Sequence, residues 1–438
     1  MKSTRPLFGI SLAAFLFFLA LALVTLVDIR RGFLFPAYLK VGAPSAILNL
    51  NTGHLPLLLA AGLGLWLTFK YLAKQEKDME KKGVDLKKQT GLAAVFTGTF
   101  LIIDLFIYRG VPATRALVAG KMGVSHSIPS DLFPGWLQPA VGGVDYLLLV
   151  WHATALSILI GSLFLVAGAG VINRLKGSGF GAHLTGAATA LTQPFCSCCA
   201  SPIASVLYRK GAALGPALAF MVSAPMLNVT TLVLSAALLP TRFAVLRIGG
   251  GIIIGVFITY AVARIAKKWV EVPGTGEVSG GKPFLWSSKI LSAYNRLFHF
   301  ENLLFAKPVE TPVSLISNWL RTTWRLTVVV VPVLLAGSVL AMYIVRVMPS
   351  SNDNLASVAV TAFFSTLLMV PTWTEIPLAA GFINNGLTGT AATVLIALPA
   401  VSLPCLVIIA GAVRSWRTAA LLGILVVATA IAAGILFL

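Results

Sequence analysis

The sequence predicts an all-α polytopic membrane protein, and three observations support that prediction. The chain of 438 residues is 58% hydrophobic and 11% charged, whereas an ordinary soluble domain has roughly 25% charged residues. Nine apolar windows are each long enough to cross a bilayer, which takes about 20 residues in a helix. Two further apolar stretches are interrupted at their centres by the segments PFCSCCASP and PTWTEIP.

The nine windows are predicted as full spans, in chain order 7–27, 55–73, 90–108, 144–172, 212–238, 243–265, 326–347, 388–411 and 417–437. Met1–Asp28 has the basic start and apolar run of a signal peptide. Its apolar run is longer than the usual 7–15 residues, however, and no small-residue cleavage site follows. We therefore interpret it as a retained first span.

The two interrupted stretches, about 183–209 and 356–385, are predicted to be re-entrant hairpins or pairs of half-helices. Backbone freed by proline and glycine is tolerated at membrane depth only where protein or a polar cavity supplies partners. The predicted backbone breaks are at Pro194, Pro202, Pro225, Pro371, Pro377 and Pro399. Pro202 is a favourable residue for the start of the second half-helix of the first hairpin.

The net charge of +19 is explained by membrane orientation rather than by a nucleic-acid partner, because the basic residues gather in short loops. The loop at 70–90 contains seven lysines and is predicted to be cytoplasmic. Counting spans from it places the N-terminus in the cytoplasm and the C-terminus outside the plasma (inner) membrane. Some basic residues, such as Arg109 and Arg242, fall on the outer side, so the positive-inside rule holds on balance but not for every residue.

An internal repeat joins residues 202–222 to residues 377–397 at an offset of 175. The matched pairs are Pro202 with Pro377, Gly211 with Gly386 and, after one residue of slippage, Pro225 with Pro399 and Asn228 with Ser402. Chance similarity between alanine-rich helices is the alternative, and the shared prolines and glycine disfavour it. The predicted orientation gives the two copies opposite topology, a plan that recurs in secondary transporters.

The repeat divides the chain into five predicted segments. They are a three-span scaffold (1–110), an extracytoplasmic loop (111–143), a first transport repeat (144–266), a cytoplasmic linker with an amphipathic surface helix (267–323) and a second transport repeat (324–438). The first three spans lie outside the repeat, which makes them candidates for a scaffold or a homodimer contact.

Three of the four cysteines lie at the tip of the first hairpin, at Cys196, Cys198 and Cys199. Soft thiolates favour thiophilic partners such as trivalent arsenic, Cu(I), Zn or Hg, and a half-helix N-terminus lowers the pKa of a thiol. The alternative, small apolar packing, is our interpretation of Cys405, which lies alone in an apolar run. The three clustered thiols are predicted to bind substrate, and neither a cofactor nor a resident metal is expected.

Glu375 lies at the matching tip of the second hairpin. An ionisable group at membrane depth is costly and marks a substrate or proton path, unless the tip reaches the outer surface and the carboxylate is solvated. Beside it, Trp373 either lines the site or anchors at the membrane interface. Asn228 either contacts the substrate or satisfies the broken backbone near Pro225.

The sequence resembles the predicted-permease family that includes the ArsP-type organoarsenical efflux permeases. The resemblance rests on Cys-Ser-Cys followed by proline, on LYRKGAALGPALAFMVSAPMLN, and on VPTWTEIPLAAGF and ALPAVSLP in the second copy. It implies that Cys196 and Cys198 bind trivalent methylated or aromatic arsenicals during efflux driven by an ion gradient. Family members often have glycine where this chain has Cys199.

Together these features predict a permease rather than an enzyme, which exports a small thiophilic solute such as a trivalent organoarsenical by alternating access between the two hairpin tips. No Walker A sequence is present, so ATP-driven transport by this chain is unsupported. Two alternatives stay open. One is a permease for a sulfur compound or metal ion, and the other is a membrane thiol oxidoreductase that uses Cys196 and Cys199.

Overall fold

The computed structural model describes residues 4–41, 48–119, 128–167, 173–191, 195–270, 309–345, 353–368 and 375–438. The described residues are mostly helical, as the sequence predicts. One short antiparallel ribbon, β1 (Leu39–Val41) with β2 (Leu48–Leu50), was not predicted. It lies in the connection between the first two helices.

The first three helices are α1 (Thr4–Arg31), α2 (His54–Lys81) and α3 (Lys87–Ala119). The end of α1 is joined to the start of α2 by a buried contact of 2.8 Å between Asp28 Oδ2 and His54 Nε2. Helix α3 continues to Ala119, so the described helix runs into the segment that was predicted to be an extracytoplasmic loop from residue 111.

The next part of the chain has α4 (Gln138–Ala167), α5 (Phe180–Leu191), α6 (Ser197–Arg209), α7 (Leu214–Leu227) and α8 (Val229–Leu238). Helix α9 (Thr241–Ile252) continues through a π-helical turn (Ile253–Ile258) into α10 (Thr259–Ala266). This π turn packs closely on α7: a Cβ added to Gly255 would lie 2.6 Å from Ser223 Oγ.

The remaining helices are α11 (Pro312–Val345), α12 (Leu355–Leu367), α13 (Glu375–Asn384), α14 (Thr388–Ala400), α15 (Leu403–Val413) and α16 (Trp416–Ile435). Helix α11 begins at Pro312, not near residue 326, because the Glu76 carboxylate accepts the Val313 N–H (2.9 Å) and stabilises an earlier N-terminus. Most of the predicted amphipathic surface helix falls in 271–308, outside the described residues.

The prediction of nine spans is confirmed: nine helical segments of the described chain are long and apolar enough to cross a membrane. Two of them contain a break, Leu214–Leu238 at the junction of α7 and α8, and Thr388–Val413 at the junction of α14 and α15. These two are 78% and 83% buried within the protein, whereas His54–Lys81 is only 17% buried. The broken spans therefore form the centre of the molecule.

The repeated glycines lie in equivalent turns, one after α6 and one after α13. Gly211 has φ +100° and Gly386 has φ +77°, a conformation that glycine adopts without steric cost. Ala212 N–H donates to Leu207 O (3.0 Å), and Leu387 N–H donates to Phe382 O (2.9 Å), so the same bond recurs at the offset of 175. These contacts support the alignment of the copies, while their opposite topology stays a prediction.

Candidate functional site

The first break separates α7 from α8 at Asn228, which has extended backbone (φ −63°, ψ +144°). Its side-chain Nδ2 donates to Ala224 O (2.8 Å) at the end of α7, and its Oδ1 accepts from the backbone N–H (2.9 Å) and hydroxyl (2.9 Å) of Thr231 in α8. Asn228 is 1% exposed. Its side chain satisfies both broken helix ends, which is one of the two roles expected from the sequence.

A second side chain reaches the same break from α9. The guanidinium of Arg247 donates to Met226 O (3.0 Å) and Pro225 O (3.2 Å), two carbonyls in the last turn of α7. Carbonyls at a helix C-terminus lack partners inside the helix and carry the negative end of the helix dipole. Arg247 is 0% exposed, so a full positive charge is buried against this helix end.

The same guanidinium also binds Glu375, since Arg247 Nη2 lies 3.0 Å from Glu375 Oε1. Glu375 is the first residue of α13 and is 0% exposed, which rules out the alternative of a solvated tip. Its carboxylate lies at the positive end of α13, where a negative charge is favoured. The tip of the second hairpin therefore contacts the break of the first half through one buried ion pair.

The second break separates α14 from α15 at Val401 and Ser402, both in extended conformation. Here the tip of the first hairpin approaches: Ser197 Oγ donates to Ser402 Oγ at 3.2 Å, and both residues are buried. Ser197 is the first residue of α6. The first residue of α6 thus contacts the break of the second half directly, and the first residue of α13 reaches the break of the first half through Arg247.

The cysteine cluster lies at the N-terminus of α6. Cys196 is the N-cap residue, with extended backbone and a half-buried side chain. Cys198 and Cys199 are in the first turn of the helix, and their side chains are outside the described residues. Cys405 is fully buried and its thiol lies 3.6 Å from Met221 Sδ, in agreement with the packing role expected for it.

Four of the six predicted prolines lie in described helices, and one of them, Pro202, is not at its predicted position. Helix α6 begins at Ser197, so the prediction that it starts at Pro202 was wrong. Pro202 lies inside the helix, where it removes one backbone hydrogen bond.

Pro225 and Pro399 lie in the last turns of α7 and α14. Pro377 lies in the first turn of α13, where its missing N–H costs nothing, and Pro194, Pro371 and Trp373 are outside the described residues.

Sequence reasoning missed Arg247, although a signal was present. It lies inside the apolar window 243–265, whose other charged residue, Arg264, is at the far end, and a charge at membrane depth marks a functional site by default. The structure also pairs buried Asp104 of α3 with His152 of α4, at 3.2 Å between Oδ1 and Nε2.

No group of three or more His, Cys, Asp or Glu side chains that could hold a metal ion occurs among the residues that the structure describes. The arrangement at the breaks can instead bind through single thiols, hydroxyls, helix ends and one ion pair.

Comparison with known proteins gives one family and two relatives. The family described as "Predicted permease" matches residues 144–438. The UPF0718 protein YraQ of Escherichia coli (strain K12) is 30% identical over 71% of this chain and 85% of its own length. The UPF0718 protein MJ0584 of Methanocaldococcus jannaschii is 25% identical over 53% of this chain and 75% of its own length. No solved structure matches.

Proposed function

The chain belongs to this predicted-permease family, and from that premise we propose that it is a secondary transporter, rather than an enzyme, with its substrate site at the two helix breaks. The proposed mechanism is alternating access, in which the two halves rock about the breaks and open the site to one side at a time.

The observation that carries the proposal is the reciprocal contact between hairpin tips and breaks. One contact is the Ser197–Ser402 hydroxyl pair at 3.2 Å. The other is Arg247, which holds Glu375 and the carbonyls of Pro225 and Met226 together. Discontinuous helices that meet inside a membrane protein place unpaired helix ends where a substrate or coupling ion binds.

The proposed substrate is a small thiophilic solute, such as a trivalent organoarsenical, and the proposed direction is efflux. Cys196 supports this chemistry, because its thiol is half-buried at a helix N-terminus, where the thiolate form is favoured. Cys198 and Cys199 follow in the same turn. Glu375 is proposed to balance charge or carry the coupling proton, with Arg247 as its ion-pair partner, and Asn228 and Trp373 to border the site.

The experiment that tests the proposal measures growth of an arsenic-sensitive bacterial host in methylarsenite. We expect the intact protein to raise tolerance and to lower cell-associated arsenic, and the Cys196→Ser and Cys198→Ser variants to lose both effects. Cys405→Ala is the matched control, since this thiol is fully buried and packs against Met221, and it is expected to retain both effects. Membrane levels of all variants are compared by immunoblot.

Two outcomes separate the alternatives. If the intact protein gives no protection at normal membrane levels, the organoarsenical substrate is excluded, and the same strains are tested against antimonite, Hg(II) and sulfur oxyanions. If thiol trapping shows Cys196 and Cys199 alternating between reduced and oxidised forms during growth, the protein acts as a thiol oxidoreductase and the transport proposal fails.

A further inference from the structure

A cavity of about 390 Å³ lies away from the helix breaks, between the approach to α5, the turn from α6 to α7 and the end of α10. It shares no residue with the candidate functional site. Its volume is within the range of about 300–1,000 Å³ that is typical of small-molecule sites. The proposed transport cycle gives this cavity no role.

The charged residues that line the cavity are all basic: Lys176 before α5, and Arg264 and Lys267 at the end of α10. No Asp or Glu of the described chain lines it. Arg264 is held in place by Tyr260, because its guanidinium lies 5.2 Å from the ring centroid and donates to the hydroxyl at 2.9 Å. Because the Tyr260 oxygen accepts this bond from Arg264, its O–H is left to donate to a bound molecule. Such a lining attracts an anion.

The N-terminus of α7 also faces the cavity. Residues Ala213 to Pro216 line it, and α7 is a helix of 14 residues whose N-cap, Ala213, makes no side-chain capping hydrogen bond. Ala213 N–H donates to Leu175 O (2.8 Å) and Pro216 has no N–H. The N–H groups of Leu214 and Gly215 are therefore the ones that lack partners inside the helix, at the positive end of its dipole. An uncapped N-terminus in a basic cavity is an anion site by geometry and charge.

One buried side chain on the cavity wall has an unused hydrogen-bonding atom. His183 is 1% exposed, and its Nε2–H donates to Val256 O at 2.8 Å, which fixes the ring. Its Nδ1 has no hydrogen-bond partner in the described chain and lies against Gly215 in the first turn of α7. Such a nitrogen accepts a hydroxyl from a bound molecule, or donates when protonated.

The second half of the chain shows what occupies the equivalent place there. The carboxylate of Asp353 accepts the N–H groups of Gly389 (2.7 Å) and Thr390 (2.9 Å) and so caps the N-terminus of α14. The repeat offset of 175 matches Gly389 and Thr390 to Leu214 and Gly215, and position 178 lies two residues before α5 just as 353 lies two residues before α12. Position 178 is Ser178, which lines the cavity. Where one half has a carboxylate, the other has a neutral serine, an open cavity and three cations.

We propose that this cavity binds a phosphate-bearing anion, whose oxygens accept from the N-terminus of α7 and pair with Lys176, Arg264 and Lys267. The anion accepts the N–H groups at the start of α7, as the Asp353 carboxylate accepts those at the start of α14. It is either the headgroup of an anionic phospholipid or a soluble phosphate compound. Because it bridges α5, α7 and α10, its binding stabilises the fold, and the proposal stands whether or not the chain transports arsenicals.

The first test compares two double variants of the full-length protein that lose the same charge. Lys176→Gln/Lys267→Gln removes two cations of the cavity lining, and Arg174→Gln/Lys268→Gln removes the exposed neighbours outside it. The probes are inorganic pyrophosphate in neutral detergent, and phosphatidylglycerol against phosphatidylcholine in nanodiscs. We expect the lining variant to bind about 10- to 30-fold more weakly than the control. A response to pyrophosphate indicates the soluble source, and a response to phosphatidylglycerol alone indicates the lipid.

The second test moves the carboxylate of the second half into the first. Ser178→Asp is expected to cap α7 from within the chain, raise the Tm of the ligand-free protein and abolish the probe's effect on Tm, whereas Ser178→Asn retains that effect. The proposal is overturned if neither probe raises the wild-type Tm, or if the lining and control double variants respond equally.

Discussion

At the scale of single residues, the Arg247–Glu375 pair explains how the centre of the molecule holds two charges. Both side chains are 0% exposed, and burying an unpaired charge costs several kcal/mol. Each partner has a second source of stabilisation: Arg247 binds the carbonyls that end α7, and Glu375 lies at the start of α13. The pair therefore satisfies two helix ends as well as itself.

Removing one partner should cost far more than removing both. We expect Arg247→Met to lower the free energy of unfolding by about 3–5 kcal/mol, because the buried Glu375 carboxylate loses its guanidinium partner, and Arg247→Met/Glu375→Leu to recover much of that loss. The measurement is the Tm of the detergent-solubilised protein. Arg242→Met is the control, since Arg242 is exposed and stacks on Phe243. Equal Tm losses at positions 242 and 247 would contradict the assigned role.

At the scale of elements, the two halves use the same turn between a hairpin and a broken span. Gly211 and Gly386 both end a helix with positive φ, and the same backbone bond to the preceding helix closes each turn. A residue with a Cβ is strained in this conformation. The turn sets the angle at which α6 meets α7 and α13 meets α14, so it positions both hairpin tips.

Replacing glycine by alanine at two positions, one in α13 and one in the turn after it, should change the stability of the protein in opposite directions. Gly386→Ala is expected to lower stability by about 1–2 kcal/mol, because alanine is strained at φ +77°. Gly381→Ala, in the same helix α13 with open space around the added methyl group, is expected to raise stability by about 0.5–1 kcal/mol. Thermal unfolding of the two variants checks the sign. Destabilisation of similar size at both sites would argue against the strained turn.

At the scale of the whole molecule, burial separates a central unit from a periphery. The broken spans Leu214–Leu238 and Thr388–Val413 are mostly buried, while Leu7–Arg31 and His54–Lys81 are 28% and 17% buried. The peripheral helices also expose large apolar side chains, such as Leu59, Leu63 and Trp66, as expected of surfaces that face lipid. The candidate functional site lies where these two broken spans meet the first residues of α6 and α13 and Arg247 of α9.

The predicted orientation can be tested with reporters fused to the intact chain or inserted in a loop. We expect a fluorescent protein inserted after Gly83, in the lysine-rich connection of α2 and α3, to be bright and alkaline phosphatase there to be inactive. A fusion after Leu438 should give the reverse, because nine spans place the two ends of the chain on opposite sides. If the fluorescent protein is bright and alkaline phosphatase is inactive at both positions, the predicted topology is wrong.

The sequence by itself determined the nine spans and the matching glycine turns at Gly211 and Gly386. Apolar length and local backbone chemistry act over a few residues, so they can be read from any window of the chain. Only the tertiary structure decided which partners the buried polar groups find. Arg247 and Glu375 are 128 positions apart, and Ser197 and Ser402 are 205 apart. Such contacts depend on how helices cross, because a desolvated charge or hydroxyl must bind whatever complementary group the packing brings near.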